Sequence, residues 1–166
     1  GGPKPVVVPV GVDQLPHINL SRDLANRMKT EYGFILPSAL LVRLMPGLKG
    51  GKMSSSDPDS AIFLTDDAET VERKIKKYAF SGGQDTIEKH RKLGGNPDID
   101  SSYQILNYFE PDDKKLSEIY NDYKSGKMLT SELKEITIEK INRFLKEHQK
   151  KRELARKQVD KFIFKI

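Results

Sequence analysis

Val6-Val7-Val8-Pro9-Val10 is a β-branched run closed by Pro5 and Gly11. A continuous apolar run of that length predicts a strand buried on both faces, as in a parallel sheet. After a connection over residues 13–17, Leu20, Leu24, Met28 and Tyr32 fall on one stripe and predict a helix over 18–32, with Gly33 as its stop. Leu40-Leu41-Val42, with Leu44 and Met45 just beyond, predicts a second strand. Strand, helix, strand in that order implies a right-handed parallel crossover. In such sheets ligands sit at the carboxyl ends of the strands, which is where Gly11-Val12-Asp13-Gln14 falls.

Residues 46–58 then read as a loop rich in Gly, Ser and Lys. Beyond Ile62-Phe63-Leu64 the period becomes helical. A helix is expected to start at Thr65 or Asp66, where Asp66 and Glu69 have capping-box spacing. Val71, Ile75 and Tyr78 share one face; Ile105, Leu106 and Phe109 another; Leu116, Ile119, Tyr120 and Tyr123 a third. Thr130 opens a long last helix carrying Leu133, Ile136, Ile141 and Leu145, then Leu154 and Phe162. Breaks fall at Ser81-Gly82-Gly83, Gly94-Gly95-Asn96-Pro97, Pro111 and Ser125-Gly126. The fold class is therefore α/β followed by all-α, with a boundary near Thr65.

Composition narrows the classes. Of 166 residues, 36% are hydrophobic and 32% charged, and no apolar run approaches the roughly 20 residues of a membrane span. The amino-terminal residues carry neither an apolar signal core nor a transit pattern. Without cysteine there is no disulfide or thiolate metal site, and three scattered histidines do not suggest zinc, so no metal ligands are assigned. A reducing, cytoplasmic setting is compatible with this. The net charge of +5 is uneven: residues 140–166 hold ten Lys/Arg against three acids, leaving −2 elsewhere. That basic stretch suits a polyanion, or is a solvated helix face.

The densest chemistry lies in Gly50-Gly51-Lys52-Met53-Ser54-Ser55-Ser56-Asp57. Amides and hydroxyls on a flexible Gly-rich loop can wrap a polyphosphate, while an ammonium on a flexible stem follows a phosphate that moves. After the first strand, Asp13 offers a carboxylate that can accept both hydroxyls of a ribose, and Gln14 an amide that donates and accepts. Asp-Gln in that place is also an ordinary turn with a helix cap. Phe80, beside a Ser-Gly-Gly break, is either helix-packing core or an aromatic platform. Asp85 is either an N-cap or a polar contact. His17 and His90 read as structural, and Tyr103, Tyr108, Tyr120 and Tyr123 as core.

Lys52-Met53-Ser54-Ser55-Ser56 is similar to the KMSKS signature of class I aminoacyl-tRNA synthetases, with serine in place of the second lysine. Gly11-Val12-Asp13-Gln14 resembles the GxDQ motif of the tyrosyl/tryptophanyl subclass. Ala79-Phe80-Ser81-Gly82-Gly83, Asp85-Thr86-Ile87-Glu88-Lys89-His90-Arg91, Gly94-Gly95-Asn96-Pro97-Asp98-Ile99-Asp100 and Ser125-Gly126-Lys127-Met128-Leu129-Thr130-Ser131-Glu132-Leu133-Lys134 resemble tryptophanyl-tRNA synthetases of the archaeal/eukaryotic type. The resemblance covers essentially the whole chain.

It implies ATP-dependent activation of tryptophan and its transfer to tRNA-Trp, in a cytoplasmic homodimer that engages neither DNA nor membrane. Lys52, Ser54 and Ser55 would be catalytic. ATP, with its Mg²⁺, would be held by Gly11, Asp13, Lys52, Met53, Ser54, Ser55 and Ser56. Gln14 would orient the amino acid. Phe80, Gln84, Asp85 and Lys134 would contact the anticodon, CCA, whose cytosine amines suit a carboxylate. Residues 1–65 would be the C-terminal part of a Rossmann-like nucleotide-binding domain and 66–166 a helical anticodon-binding domain. No HxGH-type motif is present, so the chain reads as a fragment expected to be inactive alone. Its residues 6–45 would expose an apolar sheet edge. The alternatives are a tyrosyl-type synthetase and a non-catalytic RNA-binding or signalling fragment.

Overall fold

The computed structural model describes residues 2–163 as two compact units, one ending at Leu44 and the other starting at Met45. The boundary expected near Thr65 marked a change of patterning. The boundary of packing comes earlier, because Leu48 and Ala61 are buried and partly buried Ile62 packs against the core of the helices that follow.

In the first unit, strand β1 (Val7–Gly11) pairs in parallel with β2 (Ser38–Val42), Val7 opposite Ser38 and Gly11 opposite Val42. A single 3-10 turn over Val12–Gln14 leads into helix α1 (Leu15–Arg27), whose Pro16 sits in the first turn where no N–H is needed. The helix expected to run to Tyr32 breaks at Met28, leaving a one-turn α2 (Lys29–Tyr32) that Gly33 stops with φ 68°. Burial on both strand faces does not occur: Val7 is 66% and Leu40 64% exposed. Two strands and one long helix offer too little cover. The helix also turns differently from expectation, with Ile18, Arg22 and Ala25 half-buried while Leu20, Leu24, Met28 and Tyr32 face outward. Arg22 donates to the Pro37 carbonyl and ties the helix to the approach of β2.

The second unit is helical: α3 (Ala68–Tyr78), α4 (Ile87–Leu93), α5 (Ser101–Phe109), α6 (Asp113–Lys124) and α7 (Thr130–Arg156). All four expected breaks are interhelical connections. Asp67 rather than Asp66 caps α3, accepting from Thr70 N at 2.8 Å, and Thr86 rather than Asp85 caps α4. Asp66 instead meets buried Lys74 at 2.7 Å, and Lys74 also donates to the Ala61 carbonyl at 3.0 Å. That ion pair is satisfied on both sides, the condition under which a buried charge is tolerated.

Two apolar clusters form the core. Val71, Ile75, Ile105, Ile138, Ile141 and Leu145 close around Leu48, and Tyr103, Leu106, Ile119, Tyr123 and Leu133 form the second. The expected faces of α3, α5 and α6 are those that pack, while Tyr108, Leu154 and Phe162 are exposed. Helix α7 ends at Arg156, before Phe162. Among the described residues no helix is long and apolar enough to cross a membrane.

Glu110, just past α5, accepts from Lys140 on α7 at 3.0 Å and lies 3.3 Å from Lys115 on α6. The Lys140 hydrogen bond leads in holding its carboxyl down at about 2. A carboxylate whose folded pKa lies below its unfolded value contributes stability above the unfolded pKa and loses it as pH falls through the folded one. The unfolding midpoint is therefore expected to drop as pH falls from about 4.5 to about 2, and Glu110→Gln to flatten that part of the curve. Thermal unfolding followed by circular dichroism across that range checks it.

Candidate functional site

The lysine–serine loop is fixed at its root and free at its tip. Leu48, 1% exposed, plugs the first core cluster, donates its N–H to the Ser60 carbonyl at 2.8 Å and accepts from Phe80 N at 2.7 Å. Pro46 and Lys52 form an isolated antiparallel bridge, and Gly47 N donates to the Gly51 carbonyl at 2.7 Å, so residues 46–52 close a tight turn. The two loop lysines then separate in role. Lys49 pairs with Asp57 at 2.7 Å; each holds the other's charged form, raising the ammonium pKa and lowering that of the carboxyl. Lys52 is exposed and has no ion pair among the described residues.

The serines divide as well. Ser54 Oγ and Ser56 Oγ bond each other at 2.8 Å, whereas exposed Ser55 makes no side-chain hydrogen bond among the described residues. Met53, half-buried, lines an apolar cavity of ≈ 100 Å³ with Pro46, Ile62, Ile105, Phe109 and Ile141. The loop thus rests on incompletely filled space, which weakens the dispersion contacts holding it down.

In the first unit Asp13 and Gln14 lie exposed on the turn after β1. Gly11 makes room for that turn: a Cβ there would stand 2.7 Å from Asp13 Oδ1 and 3.0 Å from Leu44 Cδ2. The carboxylate is folded back over the strand end, free to accept two hydroxyl donors.

Gln84 and Asp85 line a cleft of ≈ 170 Å³ with Ile87, His90, Thr130 and Ser131. Gln84 Nε2 donates to the Gly94 carbonyl at 3.0 Å, while Asp85, its side chain 91% exposed, has only a 3.6 Å contact with Lys89. His90 is buried, with Nε2 2.9 Å from the Met128 carbonyl and its ring against Tyr123. Phe80 and Lys134 are not brought into this cleft. Phe80, 48% exposed and so not core, lies over the loop, where a Cβ on Gly50 would come within 3.4 Å of its ring. Lys134 donates to the Lys76 carbonyl at 3.1 Å in the last turn of α3, and burial lowers its pKa against the opposing effect of Asp100.

One carboxylate holds the cleft's walls. Asp100, 0% exposed, accepts from Gly82 N, Ser102 N and Tyr123 OH at 2.8–2.9 Å, and from Tyr103 N at 3.3 Å. Tyr123 OH also bonds Thr130 Oγ1 at 3.0 Å, and burial pushes that phenol up to about 12. Gly82 is required there, since a Cβ would lie 2.0 Å from the Asn96 carbonyl oxygen. The arrangement offers a mobile ammonium in one place, an open carboxylate in a second, and a polar cleft between α4 and α7 in a third.

The family profile of the tRNA synthetases class I (W and Y) matches residues 3–146. The chain belongs to this family. Among curated class I relatives, the tryptophan–tRNA ligase of Sulfurisphaera tokodaii is 55% identical over 161 residues, which are 95% of this chain and 41% of that protein. The human cytoplasmic tryptophan–tRNA ligase is 47% identical over 148 residues, 88% of this chain and 31% of its own length. The crystal structure of tryptophanyl-tRNA synthetase from Aeropyrum pernix matches with a TM-score of 0.89 at 45% identity, covering 96% of this chain and 44% of that one. The chain thus spans about two fifths of the archaeal class I synthetases it matches.

Asp100, Tyr123, Thr130, Lys49 and Ser60 were not singled out as site residues from the sequence. Asp100 was legible only as an acid before an apolar period, the N-cap signal that α5 satisfies. Asp100→Ala is expected to lose on the order of 3–5 kcal/mol by orphaning several buried donors, against about 1 kcal/mol for Tyr123→Phe. Urea unfolding of the two variants measures the difference.

Proposed function

We propose that the chain carries part of the catalytic and RNA-reading apparatus of an ATP-dependent tryptophan–tRNA ligase. Residues 1–65 serve a Rossmann-like nucleotide-binding domain, of which the parallel β1–β2 pair is the visible piece, and residues 66–166 serve anticodon binding. The observation that carries the reading is the exposed ammonium of Lys52, which has no ion pair among the described residues, on a loop rooted by Leu48, in a chain whose curated relatives are named tryptophan–tRNA ligases.

In the first step the tryptophan carboxylate attacks the α-phosphorus of ATP, and the bond to the bridging oxygen of the β-phosphate breaks. Negative charge grows on departing pyrophosphate, and Lys52 and the Ser55 hydroxyl meet it, with Ser54, Ser56 and Met53 shaping the loop around them. Asp13 accepts the ribose hydroxyls, Gly11 leaves room for that carboxylate, and Gln14 orients the amino acid. Mg²⁺ enters with ATP and neutralises phosphate charge. In the second step a hydroxyl at the 3′ end of tRNA-Trp attacks the acyl carbonyl and AMP leaves. The enzyme works in the cytoplasm as a homodimer.

Gln84 and Asp85 read the anticodon from the α4–α7 cleft, where a carboxylate suits a cytosine amine. The exposed ring of Phe80 offers a stacking face nearby in sequence, and Lys134 a positive charge on the first turns of α7. The exposed cations of α7's second half follow the phosphate backbone.

In a full-length ligase carrying this segment, ATP–pyrophosphate exchange is expected with tryptophan and not with tyrosine. Lys52→Ala should cut it tenfold or more, ~1.4 kcal/mol of transition-state stabilisation. Exchange with tyrosine would favour the tyrosyl-type reading, and none with either amino acid an RNA-binding protein without catalysis. Asp85→Ala should leave exchange intact while lowering kcat/KM for tRNA about tenfold, the effect of losing one charge-assisted contact. Aminoacylation and exchange assayed on the same preparation separate the two.

A further inference from the structure

Several of the donors expected to grip phosphate are already engaged inside the loop. Ser54 N donates to Ser60 Oγ at 3.1 Å, Ser56 N to Ser54 Oγ at 3.3 Å, and Asp57 N to the Ser54 carbonyl at 3.3 Å. One of the Ser54 and Ser56 hydroxyls donates to the other, which uses one of their two protons. Lys52 and Ser55 are exposed, and their side chains make no ion pair or hydrogen bond among the described residues.

The bonds that fix this shape converge on Ser60, 4% exposed, on the 3-10 turn Pro58–Ser60. Its hydroxyl accepts from Ser54 N, and its single proton goes to the Asp57 carbonyl at 2.7 Å, the Ser54 carbonyl lying farther off at 3.3 Å. The two ends of the Ser54–Asp57 turn are thereby bonded to one oxygen. Ser60 is itself tied to the core through its carbonyl, which accepts from Leu48 N at 2.8 Å, while its N–H adds a second donor to the Asp57 carbonyl at 2.9 Å. The next residue, Ala61, accepts from buried Lys74. A continuous path therefore runs from the α3 ion pair through Ser60 to the backbone beside Lys52.

We infer that Ser60 is a positioning residue: its buried hydroxyl sets the resting shape of the Ser54–Asp57 turn and hence where Lys52 and Ser55 stand. The inference rests on the proposed role of Lys52 for its catalytic consequence, but its structural half does not. Without that hydroxyl Ser54 N loses its acceptor and the Asp57 carbonyl loses the closer of its two Ser60 donors; what remains is the Ser60 N–H bond to that carbonyl, the Asp57 N bond to the Ser54 carbonyl, local serine bonds and the exposed Lys49–Asp57 pair, which holds little. Ordering the turn around phosphate then costs conformational entropy that the native loop has already lost.

Two measurements on Ser60→Ala test this, with Ser102→Ala as the matched control. Ser102 is buried in the same unit and its hydroxyl has no hydrogen-bond partner among the described residues, so removing it deletes the same atom without touching the loop. By hydrogen–deuterium exchange on this chain, the amides of Ser54 and Asp57 should exchange tenfold or more faster in Ser60→Ala, with those of α5 and α7 unchanged. In the full-length ligase, kcat for pyrophosphate exchange should fall about tenfold, the loss of one hydrogen bond. KM for tryptophan and the melting temperature should stay put, and Ser102→Ala should change none of these. Unchanged loop amides, or exchange accelerated throughout the unit, would overturn the inference. So would faster loop amides with full kcat. A wild-type ligase without exchange would defeat the proposed function, while the amide measurement would still decide whether Ser60 holds the turn.

Discussion

A carboxylate with no access to water organises the helical unit. Asp100 has four protein donors around it, two from the first turn of α5, one from the Gly82 amide and one from the Tyr123 hydroxyl. Removing such a group from water is costly, and only this degree of satisfaction makes it tolerable. The cost is offset by order: one side chain fixes the start of α5, the Gly82 segment before α4, and, through Tyr123 and Thr130, the start of α7. The cleft beside Gln84 has defined walls because those elements share a single anchor.

The lysine–serine loop depends on the same unit in a different way. Leu48 is as buried as any core residue, yet it lies four positions before Lys52, one of the most chemically expectant side chains in the molecule. Rigid attachment at the root and self-contained bonding in the turn leave freedom to the tip. The partly filled apolar cavity under Met53 belongs to that design, since a close-packed floor would resist any movement of the loop.

Much of this was legible in the sequence because periodicity reports which face of a helix is buried. Val71 and Ile75, Ile105 and Leu106, Ile119 and Tyr123 pack as their spacing indicated. The first unit was less legible. The β-branched run around Val8 carries the signature of burial on both faces and the Leu20–Leu24 stripe that of a buried face, but two strands and a helix cannot supply the cover, so Val6, Val7, Leu20 and Leu24 stand exposed and Val8 and Val10 are half-buried. Pattern states what a surface needs, and the chain at hand decides whether the need is met. The cap spacing at Asp66 falls one position early, since Asp67 caps α3, and of the two readings open for Asp85 the N-cap goes to Thr86, because neighbouring Asp and Thr residues all carry capping chemistry. The division of labour between Lys49 and Lys52, or between Ser54 and Ser55, could not be read at all. It follows from tertiary pairing with Asp57 and Ser60, which composition does not encode.

Helix α7 does more than close the core. Its first residue, Thr130, bonds Tyr123 beside the α4–α7 cleft, and its Gln149 donates at 3.0 Å to the Leu64 and Asp66 carbonyls, just past the stem of the lysine–serine loop. At about 1.5 Å per residue, those two points lie about 28 Å apart along one unbroken rod. The helix therefore acts as a ruler whose length is counted in residues. Inserting a single residue midway would advance the far end by about 1.5 Å and swing it about 100° around the axis, taking Gln149 off its carbonyls while Thr130 stayed in place. The distance from the α4–α7 cleft to the segment that leads into α3 is thus written into the chain as an integer.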